Sequence, residues 1–112
     1  MAYRPPPIGR KKLILSDAAR RDIDQQVIRR AETMGFDSAS GLAIYLDAEL
    51  ARMAWIGHSG VAREEISPGL RLHVVGVYSV YFRTTVDETR IVRLLRGSMD
   101  ITGMDFSPNQ DG

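Results

Sequence analysis

Hydrophobic and polar positions along the chain change their spacing several times. Lys12 to Leu15 is a short apolar run and predicts a first strand. Ser16 and Asp17 follow as N-cap candidates. Ala19, Ile23, Val27 and Ala31 then recur every four residues, with Met34 three later, which is one stripe of a helix over 17–34. Asp17, Asp22 and Asp24 lie early in it and Arg29 and Arg30 late, as the helix dipole favours. Gly35 fits the C′ position. Asp37 and Ser38 predict the cap of a second helix. Its stripe is Leu42, Leu46, Leu50 and Met53, flanked by Ala39, Ala43 and Ala54, and it breaks at Gly57-His58-Ser59-Gly60. A connection of about four residues predicts an antiparallel helical hairpin. Trp55 and Ile56 are expected to cap the core.

From Ile66 the period shortens. Pro68-Gly69 reads as a turn, after which Leu70, Leu72 and Val74 alternate with Arg71 and His73. Beyond Val75-Gly76, the run Val77 to Arg83 predicts the next strand, the third in the chain, with Tyr78, Val80 and Phe82 facing the helices and Ser79, Tyr81 and Arg83 facing out. Thr84 to Thr89 reads as a loop. Ile91 to Leu95 predicts a fourth, central strand whose faces the period alone leaves open. The expected fold is α+β in the order β-α-α-β-β-β, a helical hairpin packed on one face of a small antiparallel sheet. Arg71, Arg83 and one of Arg93 and Arg96 are expected on the other face. Residues 1–11 read as a basic, proline-rich arm around Pro5-Pro6-Pro7 and 12–101 as one domain. Residues 102–112, with Gly103, Pro108, Asn109 and Gly112, read as a flexible tail.

Composition narrows the chemistry. The 112 residues are 44% hydrophobic and 26% charged, with no cysteine, so disulfides, thiolate metal sites and cysteine nucleophiles are excluded. No apolar run approaches the ~20 residues of a membrane span and no apolar leader is visible, so a cytoplasmic location is expected. Thirteen of the 15 cations are arginine, yet the net charge is only +1, too low for a general nucleic-acid binder.

Phosphate-binding loops, zinc-protease helices and nucleophile elbows are missing from the sequence. The two histidines, His58 and His73, come with no further ligands at metal-binding spacing, and no cofactor or metal is expected. His58 is expected in a solvated loop and His73 on the surface of the sheet. Glu64 or Glu65 as a base, with Arg71 and Arg83 clamping phosphate, is the minimum kit for cleaving RNA by attack of its 2′-hydroxyl. No histidine or tyrosine is placed as the acid. The arginines of the C-terminal half (Arg71, Arg83, Arg90, Arg93 and Arg96) suit phosphate or an acidic protein segment.

Four motifs then occur in order. Leu15-Ser16-Asp17-Ala18-Ala19-Arg20-Arg21-Asp22-Ile23 resembles the opening of ParE toxins of the RelE/ParE superfamily. Pro68-Gly69-Leu70-Arg71 resembles their entry to the sheet, Val75 to Arg83 their hairpin, and Ile91 to Ile101 their closing strand and terminal motif. The likeness spans residues 12 to 101. It implies the toxin of a type II toxin–antitoxin module, one that inhibits DNA gyrase by protein–protein contact without catalysis. It also implies a cognate antitoxin with a DNA-binding head whose C-terminal segment wraps the toxin, in a complex that represses its own operon. Such modules stabilise plasmids or sit on chromosomes. Arg83, Arg93, Arg96, Met99 and Asp100 are the implied target-binding residues. The outer faces of the helices over 17–56 and the exposed sheet edge are the implied antitoxin surface.

The closing motif departs from the family, with Arg96 where histidine is common and Ser98 where arginine is common, while Met99 and Asp100 match. The proline usual after the second helix is replaced near Gly57. A RelE-like ribosome-dependent mRNA endonuclease using Glu64, Arg71 and Arg83 is the second reading. Ser79 stands where that branch carries a basic residue. A non-toxic antitoxin-binding module is the third.

Overall fold

The computed structural model describes residues 10–97 and 101–106. Strand β1 (Lys12–Leu15) runs into helix α1 (Asp17–Met34) through Ser16, which is fully buried. The Ser16 hydroxyl accepts from the Ala19 N–H at 3.0 Å and donates to the Val92 carbonyl at 2.8 Å, so one side chain caps the helix and ties it to a distant strand. Of the predicted stripe, Ala19 and Ile23 are buried and Val27 packs against the core. Ala31 and Met34, at the end of the stripe, are exposed.

Gly35 alone separates α1 from α2 (Phe36–Ile56). At φ +88° it closes the first helix through its N–H to Ala31 and starts the second, a conformation costly for any residue with a Cβ. Asp37 and Ser38 therefore lie inside the first turn of α2 and cap nothing, a correction to the sequence reading. The predicted α2 stripe is the buried one: Ala39, Leu42, Leu46, Leu50, Met53 and Ala54. Trp55 and Ile56 do not cap the core. They stand 59% and 46% exposed, immediately after the buried Met53 and Ala54. Gly57 in the left-handed region ends the helix, with the His58 N–H returning to Met53 at 2.9 Å.

The chain continues through β2 (Val61–Ala62), which the sequence did not announce, β3 (Arg71–Val75), β4 (Tyr78–Thr84) and β5 (Glu88–Arg96). The sheet order is β1-β5-β4-β3-β2. β1 lies parallel to β5 and the other pairs are antiparallel, so the sheet is mixed rather than purely antiparallel. The reason is the crossover: β1 leads into the hairpin that covers one face and then pairs with the last strand. β4 and β5 extend into the predicted Thr84–Thr89 loop and pair at those two residues.

Tyr78, Val80 and Phe82 join the helices' core, as their alternation predicts. The faces of β5 are set by a bulge. The pairing shifts from Tyr81↔Arg93 to Phe82↔Ile91, which leaves Val92 as the extra residue. Ile91 and Leu94 thus reach the helical core while Val92 and Leu95 reach a second cluster on the opposite face.

That second cluster overturns the expected open face. Leu70, Tyr81, Val92 and Leu95 are covered by Phe106, with Ile66, Ile101 and Met104 around them. The Tyr81 and Phe106 rings lie 4.9 Å apart at 55°. Residues 102–106, read as the start of a loose tail, are a lid on the sheet whose apolar residues answer an apolar face. Residues 107–112, like 1–9 of the predicted arm, lie outside the described residues.

Candidate functional site

The arginines of the sheet have different fates. Arg93 forms a two-pronged pair with Asp22 of α1, at 2.7 and 2.8 Å, and Asp22 also accepts the Leu94 N–H at 2.9 Å. Asp22 is 8% exposed. Its hydrogen bond raises the Arg93 pKa, against the opposing effect of burial. Ser16 and Asp22 together occupy the edge of β5 beyond the end of β1. Arg83 crosses the far face to the Ser67 hydroxyl at 2.6 Å and the carbonyls of Phe106 and Pro68 at 2.6 and 3.2 Å. Arg90 pairs with Glu88 at 3.3 Å. Arg71 donates through Nε to the Ser59 carbonyl.

Register separates the suggested phosphate clamp. Arg71 sits opposite Phe82 and shares its side of the sheet, so Arg71 is not on the far face with Arg83, as the alternation had suggested. Glu64 uses Oε2 to accept the Gly69 N–H at 2.9 Å, fixing the turn before β3. Glu64, Arg71 and Arg83 each hold loop main chain and do not converge. Met99 and Asp100 lie outside the described residues. Arg96, at the end of β5, is exposed and has no acidic partner among the described residues.

Arg96 instead meets residues that were not expected to belong to a site. At the closed end of the helical hairpin, beside the Gly35 connection, it shares a cleft of about 250 Å³ with Arg29, Arg30, Gln26, Thr33 and Tyr78. Arg30 and Tyr78 also line an adjoining cleft of about 370 Å³ with Leu42, Tyr45, Val77 and Ser38. The two clefts form one groove, arginine-rich at one end and apolar at the other. Tyr78 is its floor, 3% exposed. Arg29 and Arg30 were noted only for the helix dipole. Nothing in the one-dimensional pattern places them beside Arg96.

The two histidines also meet. Register puts His73 opposite Val80, toward α2 and not on an outer surface. Its ring lies 4.0 Å from that of His58, tilted by 41°. His58 is fixed by its Nδ1, which accepts the Gly60 N–H at 2.9 Å. Gly60 has φ +60°, and a Cβ there would stand 2.6 Å from the Leu72 carbonyl. Burial lowers the His73 pKa, and His58 and Arg52 add to this, while Glu49 pulls the other way. Among the described residues no group of three potential metal ligands occurs, and no helix is long and apolar enough to cross a membrane. At the far end of α2, Arg10 stacks over the exposed Trp55 ring at 5.0 Å.

A two-helix hairpin over one face of a mixed sheet, with the first strand parallel to the last, defines the ParE-like α+β fold that the motifs suggested. Among solved structures the chain is similar to one described as a chromosomal ParDE toxin–antitoxin system from P. aeruginosa. The match has a TM-score of 0.67 at 20% identity and covers 79% of this chain and 97% of that one. No protein-family model matches the chain, and no curated protein matches it.

Proposed function

We propose that the chain is the toxin of a type II toxin–antitoxin module, acting in the cytoplasm on DNA gyrase by protein contact and neutralised by a cognate antitoxin. The observation that carries this reading is the fold, which matches nearly the whole length of a ParDE-system chain. Two features support action by contact rather than catalysis. Glu64, Arg71 and Arg83 are engaged in holding loops and lie on both sides of the sheet. Arg96, of the implied target-binding residues, is the one whose guanidinium is displayed at the surface. Arg83 and Arg93 are engaged within the fold, with Phe106 and Asp22. The antitoxin is expected on the outer faces of α1 and α2, where Ile28, Ile44, Tyr45 and Trp55 stand exposed.

The test is gyrase supercoiling with the purified, antitoxin-free chain. The expected result is loss of supercoiling or gyrase-dependent linear DNA, weakened by Arg96→Ala. Unaffected supercoiling, together with cleavage of mRNA on translating ribosomes that Arg71→Ala abolishes, would replace this reading with the endonuclease. Unopposed expression without growth arrest would leave an antitoxin-binding module.

A further inference from the structure

The groove at the closed end of the hairpin shares Arg96 with the proposed gyrase surface and adds residues that surface does not include. Its narrow half is lined by Arg29, Arg30 and Arg96 and by no carboxylate. None of the three has an acidic partner among the described residues, and Arg30 spends one N–H on the Ser38 hydroxyl at 3.3 Å. Three cations with no carboxylate partner among the described residues, in a chain of net charge +1, make this surface locally positive. The wider half is apolar, floored by Tyr78 and walled by Leu42, Tyr45 and Val77.

A second, independent feature is Gly41. It stands in the interior of α2, where glycine is about 0.8–1.0 kcal/mol worse than alanine. A Cβ there would meet nothing within 4 Å. No contact within the described chain requires that glycine, so the space it leaves belongs to the groove.

We infer that this groove is a docking site for an acidic segment of a protein partner, with an aliphatic or aromatic side chain seated between Tyr45 and Val77 and adjacent carboxylates on Arg29, Arg30 and Arg96. Charge complementarity selects the sign of the occupant and the apolar half selects its class. A nucleic acid would satisfy the arginines but leave the apolar half empty. The inference does not depend on the gyrase target, and the binding measurement below reads no supercoiling.

The probe is a fluorescein-labelled peptide of about a dozen residues, with two leucines one helical turn apart followed by glutamates. It is compared with the same peptide carrying glutamines and with a labelled oligothymidylate. Fluorescence anisotropy with the full chain should give saturable binding of the acidic peptide that weakens with salt. The glutamine peptide should bind about tenfold or more weakly, as loss of a charge-assisted contact requires. Arg29→Glu and Arg96→Glu, both at exposed positions, should each weaken binding about tenfold. Gly41→Leu should fill the apolar half and abolish binding while keeping or raising the thermal midpoint, which separates a blocked groove from an unfolded chain. Equal affinity for the two peptides, no binding of the acidic one, insensitivity to Gly41→Leu, or tighter binding of the oligonucleotide would each overturn the inference.

Discussion

At the scale of single residues, Asp22 carries more than its position in the sequence suggests. It was legible as one of several acids early in a helix. Its partners, Arg93 and the Leu94 main chain, lie 71 and 72 residues away. Removing it strips the partly buried guanidinium and a β5 N–H of their acceptor at once. Asp22→Ala is expected to cost about 2–4 kcal/mol, the range for breaking a buried pair and orphaning a donor, read as a lower urea midpoint at unchanged m-value. Arg93→Ala should cost less, since the freed Asp22 keeps the Leu94 N–H. Loss of toxicity in Arg93→Ala would therefore be interpretable only beside its melting curve. Arg96→Ala, at an exposed site, should leave stability within about 0.5 kcal/mol.

At the scale of elements, the helices and the core face of β4 were legible because each displays one period over a long enough run. The faces of β5 were not, because a bulge inserts Val92 and turns both sets of apolar residues inward, one to each cluster. The parallel β1–β5 pairing was equally hidden, since a four-residue strand carries no mark of its partner's direction. The lid at 101–106 was missed because Gly103, Pro108 and Asn109 outweighed the spacing of Ile101, Met104 and Phe106. That spacing, set against outward-facing Leu70, Tyr81 and Leu95, was the available signal. Phe106→Ala is expected to destabilise by about 3 kcal/mol, typical of a buried aromatic, and to raise dye binding to exposed apolar surface. Because the Phe106 carbonyl accepts from Arg83, the same variant should loosen the 63–70 turn, visible as faster amide exchange at Gly69 and Leu70.

At the scale of the whole molecule, acid lowers stability through a residue that the sequence placed on an open surface. The His73 pKa is depressed in the fold below its ordinary 6.5, so between the two values the unfolded chain binds more protons. Stability should be full above pH 6.5, fall as pH drops through that window, and level off below the folded value. His73→Gln should flatten that part of a plot of thermal midpoint against pH. The candidate site was the least legible level. Arg96 was singled out by motif and Arg83 and Arg93 with it, but the groove is made by α1, α2 and the ends of β4 and β5 meeting at one corner. No local pattern records such a meeting.

The seam between α1 and β5 also bears on when the fold can form. Ser16 and its Val92 acceptor are 76 residues apart, and among the described residues β1 finds its one strand neighbour in β5. At a synthesis rate of about 5–20 residues per second, the first strand and helix wait on the order of several seconds for the strand that completes them. During that interval the helical hairpin exists without its sheet. Its Leu42, Leu46 and Leu50 face is open to whatever apolar surface is nearest. A chaperone or an already folded partner present at the ribosome would meet that face first, so birth order along the chain, and not only the finished surface, sets who binds it.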